Sequence, residues 1–232
     1  MLIPLPTQIT EIAWEGALES PSQVESFSKG GGLPRLTLGR PQFWPATQLI
    51  STRPGPPWTP PQADHAYTLV QLPFTLHPPT LDPSARYAEA RLLIHLLPGQ
   101  PGGPAVIAHD LHPQREAVMG SRTYKFGLNP SLKFGPVEIG EGSIGVEIET
   151  PTAAVAVQAF GLGESRPYWT FQHQDAAPLT GTHAVYLVIA APVIAQPVRL
   201  ILDADATIQD RFGLAQVRLP RKAAQNLAFT IA

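Results

Sequence analysis

From Tyr67 onwards the chain alternates apolar and polar residues, and this period of two constrains the fold more than any other feature. In the first such stretch Val70, Leu72, Phe74 and Leu76 occupy every second position. Because successive side chains of an extended strand point to opposite faces, these four residues share one face. We therefore predict a strand that buries this face in a core.

Residues 86–97 are the stretch in which strand and helix compete most closely. Their composition suits a helix, but their apolar residues recur at every second position. These residues are Ala88, Ala90, Leu92, Ile94 and Leu96. A helical face would instead repeat every three to four residues, so the spacing favours a strand, with a helix as the alternative.

Short segments of the same kind follow, and Gly, Pro, Asn or Asp separates nearly all of them. The further predicted strands are 105–108, 122–126, 136–139, 144–149, 153–160, 168–173, 184–190, 198–203, 215–219 and 227–231. The gaps are too short for the crossover helices that parallel strands need. The pattern therefore predicts an all-β protein, an antiparallel β-sandwich of Ig-like or jelly-roll type spanning residues 63–232.

Residues 1–62 have a different character, rich in proline and glycine. The whole chain contains 27 prolines, and several fall in the stretch PGPPWTPP at residues 54–61. We predict an extended N-terminal arm whose aromatic residues either pack onto the main domain or bind a partner. The candidate partner-binding residues are Trp14, Phe43, Trp44 and Trp58.

Charge and composition exclude several classes of function. The net charge is −2 and the 16 basic residues are scattered, so no basic surface is expected to attract nucleic acid. There is no cysteine, which excludes disulfides and thiolate metal sites. The first residues lack the pattern of a signal peptide, and the longest apolar stretch, 185–193, is too short for a membrane helix. We expect a cytoplasmic protein without a cofactor and without membrane or nucleic-acid partners.

The stretch GEGSIG at residues 140–145 matches the spelling of a dinucleotide-binding loop. Such a loop needs a helix after it, whose N-terminus faces the pyrophosphate. Here Val146 and Ile148 alternate with Glu147 and Glu149, and a proline closes the run. We predict that the glycines form the turn of a β-hairpin. The hairpins of residues 137–160 also resemble a pore-forming ribbon, but their strands are shorter than the ~9–11 residues that span a bilayer.

A metal or acid–base site is conceivable around His109, Asp110 and His112, because histidine and aspartate are common metal ligands. On an extended backbone Asp110 and His112 point to the same face, whereas His109 points to the other. Two ligands do not make a site, so the alternative is a structural segment.

A second candidate site follows the strongest aromatic cluster of the chain. Trp169 and Phe171 share a face with His173 and Asp175. Aromatic rings stack on sugars, and His and Asp can hydrogen-bond their hydroxyls, so these residues predict a small-ligand or carbohydrate site. The alternative is that both rings fill the core, as strand tryptophans do in sandwiches.

No motif for nucleophilic catalysis stands out. The leading functional prediction is therefore a non-catalytic interaction or structural module that binds a protein partner or assembles with copies of itself. The alternatives are a small-ligand or carbohydrate binder and a metal-dependent enzyme that uses the His109, Asp110 and His112 segment.

Overall fold

The structure is a computed structural model that describes most of the chain. The described residues are 2–3, 9–20, 33–48, 60–79, 85–116, 122–124, 133–134, 146–148, 156–173, 179–211 and 213–231.

Almost all regular structure in the described residues is β-strand. The strands are β1 (Leu2–Ile3), β2 (Ile12–Ala17), β3 (Arg35–Gly39), β4 (Gln42–Pro45), β5 (His65–Leu76), β6 (Arg86–Leu97), β7 (Ile107–His112), β8 (Arg115–Glu116), β9 (Arg122–Tyr124), β10 (Lys133–Phe134), β11 (Val146–Ile148), β12 (Ala156–Phe160), β13 (Tyr168–Gln172), β14 (Gly181–Pro192), β15 (Val198–Asp210), β16 (Gly213–Arg218) and β17 (Ala228–Ile231). Two 3₁₀ turns, Ala46–Gln48 and Val193–Ala195, and one helix, α1 (Arg221–Asn226), complete the described elements.

Two large antiparallel sheets form the fold. The six-stranded sheet has the order β2-β3-β5-β14-β7, with β4 also pairing with β5. The seven-stranded sheet has the order β16-β15-β6-β13-β12-β8, with β17 also pairing with β15. This arrangement confirms the predicted all-β, antiparallel class.

Each sheet is organised around one long pair of strands. In the six-stranded sheet β5 pairs with β14 along twelve residues, from His65 opposite Pro192 to Leu76 opposite Gly181. In the seven-stranded sheet β6 pairs with β15, which is thirteen residues long. In each sheet, one strand of the long pair also pairs with two short strands along its other edge. These are β3 and β4 on β5, and β16 and β17 on β15.

The core lies between the two sheets and takes alternate residues from both long pairs. Val70 and Leu72 of β5 belong to the same buried cluster as Ile94 of β6 and Leu200 of β15. Burial alternates along β6, as the period of two predicts, so residues 86–97 form a strand and the alternative of a helix is excluded.

The six-stranded sheet is also buried on the face turned away from this core. Leu69, Tyr186 and Val188 are completely buried but do not belong to the core cluster. They lie beside one another, because Leu69 pairs with Val188 and Tyr186 with Gln71. The amide of the buried Gln71 donates a hydrogen bond to the hydroxyl of Tyr186 at 3.0 Å. Burial on both faces explains why β14 is apolar almost throughout.

Three of the four described strands of residues 1–62 are part of the six-stranded sheet, whereas β1 pairs in parallel with β10. β2 pairs with β3, β3 with the end of β5, and β4 with its beginning. Leu36 and Leu38 of β3 are buried in the shared core. The segment predicted as an arm therefore supplies edge strands and core residues of this sheet.

The strand after GEGSIG is present as β11, which pairs antiparallel with β9. The glycine turn itself, and the predicted strand 136–139 before it, lie outside the described residues. No helix in the described part of the chain is long and apolar enough to cross a membrane.

Replacing Leu200 by alanine should test the shared core. Leu200 is 0% exposed on β15, so the variant loses buried apolar surface and leaves a cavity, at a cost of about 2–5 kcal/mol. Leu214, which is 69% exposed on the neighbouring β16, provides the matched control, and Leu214→Ala should change stability by less than about 0.5 kcal/mol. Urea unfolding of both variants measures the difference, and equal losses would contradict this description of the core.

Candidate functional site

His109, Asp110 and His112 lie on β7, at the edge of the six-stranded sheet. Asp110 and Ala108 pair with consecutive residues of β14, so His109 is the extra residue of a β-bulge. The ring of His109 contacts Tyr67 edge to face, with 5.1 Å between the ring centroids. The bulge thus separates His109 from the regular alternation of the strand.

Asp110 and His112 share a face and touch. Nε2 of His112 lies 3.1 Å from Oδ2 of Asp110, and both residues are buried. The other carboxylate oxygen of Asp110 accepts hydrogen bonds from the backbone N–H of Leu111 at 2.9 Å and from the amide of Gln114 at 3.3 Å. The pair is therefore a close polar contact within the buried outward layer of the sheet, and the hydrogen bonds to Leu111 and Gln114 hold its carboxylate.

A metal ion would need further ligands beside this pair. A protein zinc site uses at least three side chains. Over the described residues, no group of three or more His, Asp or Glu side chains is placed to hold a metal ion. Asp110 and His112 supply two of the side chains that such a site needs.

The rings of the second predicted site lie in the core. Trp169 is 0% exposed and Phe171 is 2% exposed. The indole N–H of Trp169 donates to the carbonyl of Pro113 at 3.0 Å. Phe171 contacts Phe74 of the other sheet edge to face, with 5.0 Å between the centroids. Nε2 of His173 lies 3.3 Å from Nη1 of Arg86. Neither ring offers a face to a ligand, and Asp175 lies outside the described residues.

The aromatic residues predicted to bind a partner are integrated into the six-stranded sheet. Trp14 on β2 and Phe43 on β4 are half-buried and pack against the core. Trp44, also half-buried, pairs with Leu69 in the register of β4 and β5. Trp58 lies outside the described residues.

An exposed apolar surface occurs instead at the end of the molecule where β5 and β15 begin and β6 and β14 end. Of the seven large apolar side chains that are exposed in the described residues, five lie on strand ends or loops at this end. They are Leu97, Phe160, Leu162, Val193 and Ile194. Ile194 is 80% exposed, Leu162 57% and Val193 56%. We call these five side chains the apolar end.

Backbone hydrogen bonds fix the loop that carries Leu162. This loop, residues 161–167, connects β12 to β13 and bridges both sheets. The N–H of Gly163 donates to the carbonyl of Ala108 at 2.8 Å, and the N–H of Leu96 donates to the carbonyl of Ser165 at 2.8 Å. Leu162 is therefore presented by an ordered loop.

The turn that carries Val193 and Ile194 is fixed in the same way. The N–H of Val193 donates to the carbonyl of Asp64 at 2.9 Å, and that of Gly99 donates to the carbonyl of Ala195 at 3.0 Å. A side chain at position 99 would collide with the backbone of Pro197, so only glycine permits this close approach. The exposed aliphatic side chains thus project from a preorganised frame.

The predictions from the sequence missed the apolar end. A signal was present in Val193 and Ile194, two aliphatic residues between Pro192 and Pro197. Prolines on both sides indicate a loop, and aliphatic residues in a loop are candidates for an exposed surface. Nothing in the sequence indicated that Leu97 and Leu162 would lie at the same end.

The outward face of the seven-stranded sheet carries an ion pair. The guanidinium of Arg91 on β6 donates from Nε and Nη2 to the two carboxylate oxygens of Asp205 on β15, at 2.7 and 2.8 Å. This two-point geometry orients both groups and satisfies both charges. Hydrogen bonding to Asp205 raises the pKa of Arg91.

Asp203 lies two residues along β15 on the same outward face, and it is half-buried. Burial raises the pKa of its carboxyl, and the charge of Asp205 raises it further, while His95 and Arg218 lower it. One carboxylate oxygen accepts the backbone N–H of Ala204 at 2.8 Å. Within the described residues, no ion pair shorter than 4 Å engages Asp203.

Comparisons with known proteins define no family. No protein-family model and no curated protein matches the chain. Several solved structures share a distant likeness with the chain. A pore-forming protein is 9% identical over 79% of this chain and 86% of that chain, with a TM-score of 0.38. The Clostridium perfringens NetB toxin in its membrane-inserted form is 8% identical over 82% of this chain and 100% of that chain, with a TM-score of 0.34, and the Clostridium perfringens delta-toxin is 8% identical over 93% of this chain and 92% of that chain, with a TM-score of 0.39. At these scores the likeness supports no statement about this chain.

The environment of Asp203 predicts a pH-dependent effect of Asp203→Asn. A raised pKa means that the folded state favours the protonated form. The contribution of Asp203 to stability is therefore fully present below the ordinary pKa of 3.8 and is lost as the pH rises through the raised value. Asparagine stays neutral and retains the oxygen that accepts the Ala204 N–H.

The unfolding free energy of Asp203→Asn, relative to that of the wild type, should therefore increase as the pH rises from 3 to 7. Urea titrations at several pH values measure this difference. A difference that stays constant with pH, or that changes in the opposite direction, would show that the surroundings of Asp203 do not penalise its charge.

Proposed function

We propose that this protein is a non-catalytic β-sandwich interaction module that self-associates through its apolar end. The observation that supports this most is the gathering of five exposed apolar side chains, led by Ile194 and Val193, at one end of the two sheets. Exposed apolar side chains collected at one end of a folded protein are candidates for an interaction surface.

The rigidity of the loops adds to this proposal. The frame around Val193 and Leu162 is fixed by backbone hydrogen bonds between the two sheets. A surface that is already ordered loses little conformational entropy on association, so more of the hydrophobic gain remains as binding free energy.

The charges around the apolar end favour a second copy of the chain as the partner. Asp64 and Glu164 supply negative charge there, and Arg166 and Arg199 supply positive charge, all four being exposed. In a twofold dimer the same patch from each copy faces the other. A rim that carries both signs can complement itself, whereas a rim of a single sign would repel its copy.

Sedimentation of the wild type over a range of concentrations tests self-association. We expect a monomer–dimer equilibrium that weakens with Ile194→Ser. Burying an isoleucine contributes about 1.5–3 kcal/mol, so the dissociation constant should rise by about tenfold or more. Val193→Ser combined with Ile194→Ser should leave only monomer at the concentrations at which the wild type is dimeric.

Leu214→Ser is the matched control, because Leu214 is also exposed but lies at the turn between β15 and β16. It should associate as the wild type does. A wild type that remains monomeric at every concentration would reject self-association, and equal weakening by Leu214→Ser would reject the apolar end as its surface.

A further inference from the structure

The outward face of the seven-stranded sheet combines an aromatic pair, an aliphatic side chain and a carboxylate in one row across the strands. Phe160 pairs with Tyr168, Tyr168 with Leu93, and Leu93 with Asp203. Neighbouring strands lie about 4.8 Å apart, so Tyr168 and Asp203 are separated by about 10 Å with Leu93 between them. We call this set the aromatic–carboxylate row.

The aromatic end of the row is preformed. The rings of Phe160 and Tyr168 stack at 4.8 Å between centroids with 15° between their planes. Phe160 is exposed and Tyr168 is half-buried, so the pair presents part of its surface to solvent. Such a ring offers apolar surface on which the methylene stem of a long cationic side chain can pack.

The charge at the other end of the row is not balanced within the described residues. Arg91, the nearest cation in register, is held at two points by Asp205. Arg218 pairs in register with Asp205, not with Asp203. Arg218 and His95 influence Asp203 electrostatically, but neither forms an ion pair with it in the described contacts.

These three features match one chemical group, a cation on an apolar stem. An arginine side chain laid along the row would place its guanidinium at Asp203 and its aliphatic carbons on Leu93 and beside the ring of Tyr168. An anionic group would instead meet an unbalanced carboxylate, and an uncharged apolar group would leave that carboxylate half-buried without a partner.

We propose that the aromatic–carboxylate row is a binding site for an arginine side chain of an extended segment of a partner protein. The site lies on the outward face of the seven-stranded sheet; it shares Phe160 with the apolar end, whereas Leu93, Tyr168 and Asp203 lie outside that surface. The charge of Asp203 recognises the guanidinium, while Leu93 and Tyr168 hold its stem.

The proposal is tested with a fluorescent peptide, acetyl-Leu-Arg-Leu-Arg-Leu-amide, and its analogue in which citrulline, a neutral isostere, replaces both arginines. Fluorescence anisotropy with the full chain measures both dissociation constants. The wild type should bind the arginine peptide at least about tenfold more tightly, because the citrulline analogue lacks the positive charge that hydrogen-bonds to Asp203. Equal binding of the two peptides would overturn the proposal.

The variants locate the site. Asp203→Asn should remove the preference for arginine over citrulline, and Tyr168→Ala, which removes the ring on which the arginine stem packs, should weaken binding of the arginine peptide by about two- to fivefold. Asp210→Asn makes the same chemical change at the β15–β16 turn and should leave binding unchanged. Thermal melting of each variant confirms that it is folded.

Two further outcomes would count against the proposed site. An arginine preference that survives in Asp203→Asn would overturn the assignment of the carboxylate. If Asp210→Asn lost the preference for arginine over citrulline as fully as Asp203→Asn, the preference would reflect the overall negative charge of the protein and not a site at Asp203. At concentrations at which the wild type is monomeric, Ile194→Ser should bind the peptide as the wild type does, so failure of self-association and failure of this site remain distinguishable.

Discussion

The packing of two long antiparallel strand pairs against each other is the interaction on which the rest of the structure depends. β5 with β14 and β6 with β15 each contribute every second side chain to one shared core. Burial of an aliphatic side chain contributes about 1.5–3 kcal/mol, and the many residues of this core repeat that gain along both pairs. Six of the shorter strands pair directly with these four: β3, β4, β7, β13, β16 and β17.

The class of fold could be predicted from the sequence, because the alternation of apolar and polar residues along a strand shows which face is buried. In residues 86–97 the helical composition was outweighed by the period of two, and the structure has a strand there. The alternation was less informative in β14, where Tyr186 and Val188 are buried on the face opposite Val185 and Leu187. A strand buried on both faces does not alternate, so its length of twelve residues was underestimated.

Candidate sites were harder to predict, because they depend on neighbours that are distant in the chain. The even spacing of Asp110 and His112 correctly placed them on one face, but the bulge at His109 follows from pairing with β14. The apolar end and the aromatic–carboxylate row each combine residues from several strands. Leu93 and Asp203, for example, become neighbours only through the register of β6 with β15.

That register also has a consequence for how the chain reaches its folded state. Arg91 and Asp205 are 114 residues apart in the chain, and Gln71 and Tyr186 are 115 residues apart. Contacts of such high sequence separation close large loops, and chains dominated by them fold slowly. Because each long strand of the first half needs a partner from the second, neither half contains a complete sheet of its own. Cutting the chain between β7 and β14 would separate both central pairs, so cooperative folding requires nearly the entire chain.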